Sequence, residues 1–427
     1  MKLIIHRGAN EIGGSCVEIQ SGDSRILVDF GMPLVNKNRE RFDSASIAGK
    51  SIEKLKEEEV LPAINGLYKG EKSAFKAILL SHSHQDHYGL LSSVNTDIPV
   101  YMSRGCKEII EVSNFFGQTG YDLKNIKTVE MWQPFHIGDF TITPYLVDHS
   151  AFDAMAFLIK SENKKIFYSG DFRGHGRKSV LFKKILSNPP QNVDYLIMEG
   201  SMIGRDTDRN RTEDDVKIDI TSLLKERSCL FFIACSSQNI DRLVSIYLAC
   251  VNSGRIFVID PYTAFILDKL KTISKNIPQF DWGKNIRIFF VPNRYTEKMA
   301  QNKSLFKFKS AKITYDHMQQ IRNQLVIKDT FLTREIFAKK QDLTDTTLIY
   351  SMWNGYLPDV KPFWDQNNVP IVEIHASGHA YVEDLQDFVK AFNPKYIIPN
   401  HTFYPEQFER YFGSNVRIVK DGEVFAI

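Results

Sequence analysis

Residues 82–87 read His-Ser-His-Gln-Asp-His, one residue after the apolar run Ala77-Ile78-Leu79-Leu80. Three imidazoles and a carboxylate in so short a stretch are costly at the mouth of a buried strand unless a cation sits among them. In extended backbone, residues i and i+2 project to the same side, so His82 and His84 can grip one ion together. If the chain then turns into the helix suggested by Tyr88-Gly89-Leu90-Leu91, Asp86 and His87 swing toward a second position. Nitrogen and carboxylate donors suit zinc best, with manganese or iron as alternatives. The bland alternative is a histidine-rich polar turn. As a metal site, the segment demands a fold in which other strand ends deliver the missing ligands.

The rest of the chain bounds that fold. A length of 427 residues exceeds one ordinary core and implies two or three domains. With 43% hydrophobic and 25% charged residues, the composition is that of a soluble globular protein. A net charge of +3 neither requires nor excludes a nucleic-acid partner, which would need its basic residues gathered in one place. Apolar runs such as 229–235 are strand-sized, so no membrane span is expected. The N-terminus opens directly on a strand pattern, without a signal peptide. Cys16, Cys106, Cys229, Cys235 and Cys250 are scattered and form no CxxC pair, which fits reduced thiols in the cytoplasm.

Strand patterns at 2–7, 15–20 and 24–30, punctuated by glycines, predict hairpin-like structure. Residues 37–76 are charged and less regular, with a helix expected at 51–59. Strands follow at 99–103, 140–147, 155–160, 165–170 and 194–199, with a helix at 104–115, so a layered α/β/β/α sandwich is expected. A polar stretch at 205–215 breaks this rhythm. Beyond it, helices at 213–226, 239–252 and 262–273 alternate with strands at 229–235, 255–260 and 287–292, the pattern of a parallel sheet. Strands recur at 347–351, 370–375, 395–399, 416–420 and 423–427. The simplest organisation is one domain, 1–204 and 356–427, interrupted by another at 205–355.

Three positions extend the histidine cluster. His149, Asp171 and His401 each stand where an apolar strand gives way to a loop. Alone, a strand-end His or Asp is usually a cap or a solvated polar group; together with the cluster they read as further ligands. Asp29 in Leu-Val-Asp-Phe-Gly, the 82–87 run, His149, Asp171 and His401 together resemble the metallo-β-lactamase superfamily. The stretches 195–200, 234–243 and 375–380 narrow the resemblance to the β-CASP branch, which includes ribonuclease J-like nucleases.

The resemblance implies an αββα sandwich with an inserted β-CASP α/β domain, and a pair of zinc ions, with manganese as the alternative. By position, His82, His84 and His149 would hold one ion, and Asp86, His87 and His401 the other, with Asp171 bridging. Asp29 would brace the cluster. Two divalent ions less two carboxylates and a bridging hydroxide leave a charge of about +1, which favours an anionic phosphodiester. The expected reaction is attack by that hydroxide, with catalytic roles for Asp86 and for a His379–Glu199 pair in which His379 is the general acid. On the residues alone, Glu199 and His379 could equally be a structural pair. His375 resembles a phosphate-contacting position, although bracing of the metal ligands fits it equally; Ser377 and Arg173 are further candidate substrate contacts, a solvated basic loop being the other reading of 173–177.

Histidine at position 401 is the pattern of RNA-processing members, so RNA, single-stranded for preference, is the expected partner of a cytoplasmic enzyme that can form homo-oligomers. Two departures stand out. The chain ends at Ile427, without the C-terminal domain of ribonuclease J, and 350–356 reads Tyr-Ser-Met-Trp-Asn-Gly-Tyr where that enzyme has Gly-Ser-Gln-Gly-Glu. Endonuclease or 5′-exonuclease action therefore stays open. The competing readings are the same chemistry on DNA or a small phosphodiester, and a non-catalytic nucleic-acid-binding module. Basic residues from Lys269 to Lys303, mixed with Phe289, Phe290, Tyr295, Phe306 and Phe308, fit either a single-strand contact or core aromatics.

Overall fold

The computed structural model describes every residue except 37, 118, 119, 122 and 206–209, so part of the connection expected at 205–215 lies outside the described residues. The chain divides into two compact units, Met1–Asp208 with Gly378–Ile427, and Arg209–Ser377.

The first unit holds two sheets. One contains β1 (Lys2–Arg7), β2 (Cys16–Ser21), β3 (Ser24–Val28), β4 (Ala77–Leu79), β5 (Val100–Met102), β6 (Ile126–Thr128) and β20 (Val424–Ala426), in the order β20-β1-β2-β3-β4-β5-β6. The other contains β7 (Phe135–Ile137), β8 (Phe140–Leu146), β9 (Met155–Ser161), β10 (Lys164–Tyr168), β11 (Tyr195–Glu199) and β19 (Tyr396–Asn400), in the order β19-β11-β10-β9-β8-β7. Side-chain alternation sorts their residues into layers. Ala77 and Leu79 of β4 share a core with Met155, Phe157 and Ile159 of β9 and Ile197 of β11. The intervening Ile78 and Leu80 instead pack with Leu55 and Ile110 from the helices Ile52–Glu57 and Arg104–Phe115. On the other side, Ala156, Leu158 and Leu196 pack with Phe182 and Phe388 from the helices Ser179–Ser187 and Val382–Phe392. The unit is therefore a helix–sheet–sheet–helix sandwich. Each fully buried Leu, Ile or Phe contributes about 1.5–3 kcal/mol, which offsets the cost of gathering polar groups at the strand ends.

The strand expected at 416–420 does not form. Val416 and Val419 do enter cores on opposite faces, as residues an odd number apart in a strand would. Pairing, however, is limited to one isolated bridge between Val416 and Ile397. The Lys420 N–H goes instead to the Glu423 carboxylate at 3.0 Å, within the turn that leads into β20.

The second unit is built on one parallel sheet of β12 (Leu230–Ala234), β13 (Ile256–Ile259), β14 (Ile286–Phe289), β15 (Lys312–Ile313), β16 (Leu325–Lys328), β17 (Thr346–Tyr350) and β18 (Ile371–Glu373), in the order β15-β14-β13-β16-β12-β17-β18. All of β12 is buried, as expected for a parallel strand covered on both faces. β18 pairs with β17 through Leu348↔Ile371, so the inserted unit runs to Ser377 rather than ending at 355. No helix among the described residues is long and apolar enough to cross a membrane.

Candidate metal centre

The turn carrying Asp86 and His87 is the helix Gln85–Tyr88. It is too short to stand alone, and the segment after β3 holds it. Met32 donates its N–H to the Gln85 carbonyl at 2.9 Å and Phe30 to that of His87 at 2.7 Å. A Cβ on Gly31 would lie 1.6 Å from the Asp86 carbonyl oxygen, so only glycine permits this approach. Asp29, with φ of 59°, accepts hydrogen bonds from the Ser81 N–H and hydroxyl, both at 2.7 Å, and from the Tyr168 hydroxyl at 2.8 Å. Its Oδ2 also lies 2.8 Å from His87 Nδ1, which fixes the ring with Nε2 toward the site.

The remaining polar residues arrive from the ends of β8, β10, β11 and β19. His149 follows β8, Asp171 follows β10, Glu199 ends β11 and His401 follows β19. Three groups result: His82, His84 and His149; Asp86, His87, Asp171 and His401; and Asp171, Glu199 and His379, each with ligand atoms within 4.8 Å of one another. Asp171 Oδ2 belongs to the second and third groups and also approaches His82 of the first. It lies 3.1 Å from His87 Nε2, 3.6 Å from His401 Nε2, 3.8 Å from His82 Nε2 and 3.6 Å from His379 Nδ1. Asp86 Oδ2 approaches Nε2 of His401 at 3.7 Å and of His87 at 3.8 Å.

These residues fit a metal centre. His82 Nε2 and His401 Nε2 are buried with no hydrogen-bond partner, a cost of about 1–3 kcal/mol each that a bound cation would remove. His149 Nδ1 sits 2.6 Å from the Gly378 carbonyl, which can only accept, so its hydrogen is on Nδ1 and the Nε2 lone pair faces His84 Nδ1 at 3.2 Å. Burial and mutual repulsion hold His82, His149 and His401 well below the ordinary imidazole range, and burial lowers His84 to about 4. Neutral imidazoles are the form a metal binds. His87 and His379 are the exceptions. Burial opposes their charge, but Asp171, Asp29 and Asp86 around His87, and Glu199 and Asp171 around His379, raise both. His379 Nδ1 is 2.9 Å from Glu199 Oε2, and Glu199 Oε1 accepts from the Phe172 N–H at 2.8 Å.

The other candidates fall elsewhere. Arg173 is fully buried, with Nε 3.3 Å from Asp148 Oδ1 and its N–H donated to the Asp148 carbonyl. It does not line a groove; it anchors the strand end beside His149, which corrects its expected contact with substrate. His175 is also buried, its ring stacked on Tyr381 at 4.2 Å. His375 and Ser377 belong to the second unit. There, the fully buried Arg242 donates to His375 Nδ1 at 3.1 Å. A guanidinium only donates, so neutral His375 carries its hydrogen on Nε2. Among the supporting groups, Ser81 adjoins the histidine run and was open to notice. Ser15, whose hydroxyl lies 2.9 Å from His401 Nδ1, and Tyr168 carried no local signal.

Residues 62–207 match a family described as the beta-lactamase superfamily domain, and residues 369–418 one described as the Zn-dependent metallo-hydrolase RNA specificity domain. Together the two matches contain every candidate metal ligand. The chain thus carries a beta-lactamase superfamily domain and a metallo-hydrolase RNA specificity domain. It is similar to ribonuclease J of Mycoplasma genitalium, 22% identical over 94% of this chain and 67% of that protein. The Mycoplasma pneumoniae ribonuclease J is also 22% identical, over 94% of this chain and 68% of its own length. Ribonuclease J 2 of Streptococcus pyogenes is 21% identical over 100% of this chain and 76% of its own. The fold matches a crystal structure of a protein of unknown function from Enterococcus faecalis V583, with a TM-score of 0.80, 21% identity, and coverage of 100% of this chain and 99% of that one. The chain is thus a metal-dependent hydrolase of the nuclease class.

Proposed function

We propose that this nuclease hydrolyses phosphodiester bonds in unpaired RNA with a pair of zinc ions. The observation that carries the reading is the placement of Asp171 Oδ2 within 3.8 Å of His82, on one side, and within 3.6 Å of His401, on the other, with His87 nearer still at 3.1 Å. His82, His84 and His149 would hold one ion and Asp86, His87 and His401 the second, with Asp171 shared between them. When bound, the ions would supply an activated water and charge neutralisation at the scissile phosphate.

The chain's own groups do the rest. Asp29 aims His87 through Nδ1, and the Gly378 carbonyl does the same for His149. Glu199 holds the Nδ1 side of His379 and favours its charged form, so the proton on Nε2 is available for the leaving oxygen. His375 and Ser377 are proposed as phosphate contacts, because the chain runs from them directly into His379. The RNA specificity family matched at 369–418 supports RNA over DNA. The ligand atoms are recessed, with His82, His401 and Asp171 at most 2% exposed, which suits a single strand better than a duplex. Five buried free thiols support a cytoplasmic setting.

Metal analysis and product mapping on a 5′-monophosphorylated RNA and a single-stranded DNA of the same sequence test this. Bound zinc near two per chain and cleavage of the RNA alone are expected. Equal rates on both would remove the RNA assignment, and cleavage by a metal-free protein would remove the mechanism.

A further inference from the structure

The inserted unit carries a concentration of charge that the hydrolytic site does not use. Segments 261–271 and 294–312 contain eight lysines and arginines against Asp268 and Glu297, in a chain whose net charge is only +3. The two segments pack together. Lys269 and Lys307 both lie 5.9 Å from the Phe265 ring, and Asp268 pairs with Lys271 at 2.7 Å and with Lys307. Ser304, after the helix Arg294–Gln301, donates back to the Met299 carbonyl at 3.2 Å. Asp268 is buried beneath two ammonium groups, so its charge is cancelled within the patch.

The aromatics expected in this region separate into two kinds. Phe289 and Phe308 are core residues. Phe306, two positions from Phe308 in the short helix Ser304–Ala311, is 63% exposed and lies between the exposed Lys303, Lys307 and Lys309. One exposed phenylalanine is ordinary. One flanked along its helix by exposed lysines, in a unit where Arg294 lies over Tyr295 at 4.9 Å and Lys312 over Phe290 at 5.7 Å, combines phosphate-binding charge with an exposed ring.

We propose that this surface of the inserted unit is a secondary binding site for unpaired RNA, with the lysines on phosphates and Phe306 stacked on a base. The proposal rests on the reading of the protein as an RNA nuclease and adds to it a contact that lies in the other unit from the metal ligands. Charge alone would serve any polyanion; the exposed ring selects a strand whose bases are unstacked and available.

The test uses the full metal-loaded chain and exposed positions, so folding is preserved. Affinity for an unstructured RNA of about 30 nucleotides, long enough to reach beyond one site, is read by fluorescence anisotropy in a His379→Gln background that slows cleavage. The triple variant Lys298→Ala/Lys303→Ala/Lys309→Ala is expected to bind about 10-fold or more weakly at low salt and to lower the log–log salt slope by about 2. Phe306→Ala should weaken binding by roughly 10-fold with little change in slope. With His379 restored, hydrolysis of the small diester bis(p-nitrophenyl) phosphate should be unchanged in both. Parental affinity in both variants overturns the surface, and an equal loss from Phe306→Ala on double-stranded RNA overturns its assignment to unpaired strands. Binding that depends on these residues in a protein that cleaves no RNA would instead sink the proposed function alone.

Discussion

His82 Nε2 and His401 Nε2, in the first unit, are buried without a hydrogen-bond partner, whereas Arg242, as deeply buried in the inserted unit, aims its N–H groups at acceptors throughout. Arg242 reaches Glu213 at 2.8 Å, the Ser351 hydroxyl at 2.7 Å and carbonyl at 2.8 Å, His375 at 3.1 Å and the Ala376 carbonyl at 3.1 Å. Glu213 in turn accepts from the Ser245 hydroxyl at 3.0 Å. One network is complete within the chain; in the other, two buried ring nitrogens have no hydrogen-bond partner. Burial of polar groups therefore has two meanings in one molecule. A closed network fixes structure, and an open one marks where something from solution binds.

That contrast can be broken by mutation. Replacing His87 or Asp86 with alanine should cost at least about a thousand-fold in RNA cleavage, roughly 4 kcal/mol of transition-state stabilisation, with circular dichroism little changed. An active variant would show the open network to be structural after all. Arg242→Met should act oppositely, lowering unfolding free energy by about 3–5 kcal/mol because the buried Glu213 carboxylate loses its guanidinium counter-charge. Denaturant unfolding checks this, and an unchanged midpoint would show that the closed network is dispensable. The smallest effect concerns His379, which lies between the two types. Its proton affinity is raised in the folded protein, so the stability its pair with Glu199 adds is present below the ordinary imidazole value and is lost as pH rises through the raised one. Activity that needs the protonated ring should fade over the same window. Glu199→Gln should move the alkaline limb of the pH–rate profile down by about one unit, and an unmoved limb would exclude His379 as the titrating acid.

The candidate ligand cluster is legible because its core is local: four donors within 82–87 are hard to accommodate except around a cation. His149, Asp171 and His401 can be added because strand ends are where a sheet assembles a site. Arg173 misleads because an arginine is exposed by default, and its burial depends on a carboxylate, Asp148, in another strand-end loop. In the inserted unit, Leu325–Lys328 is not recognisable as a strand, yet it lies between β13 and β12. Four apolar or mixed residues between polar turns have too little periodicity to announce a central strand. The helix Leu357–Gln366 is hidden for a different reason, since Pro362 inside it argues against a helix. At 416–420 the alternation of Val416 and Val419 is real, but alternation reports burial and not the hydrogen-bond ladder that makes a strand.

The position of His401 has a consequence for biogenesis. During synthesis, His82, His84 and His149 emerge early, but the Gly378 carbonyl that orients His149 follows only after the inserted unit. Asp86, His87 and Asp171 must wait for His401 until the whole inserted unit has been translated, a delay on the order of 10–50 s. Until then β11 also lacks β19, its parallel neighbour, and the nascent sheet has an open edge. The candidate ligand His401 and the last strand of that sheet thus arrive together, so assembly of the second group and the pairing of β11 with β19 are one event.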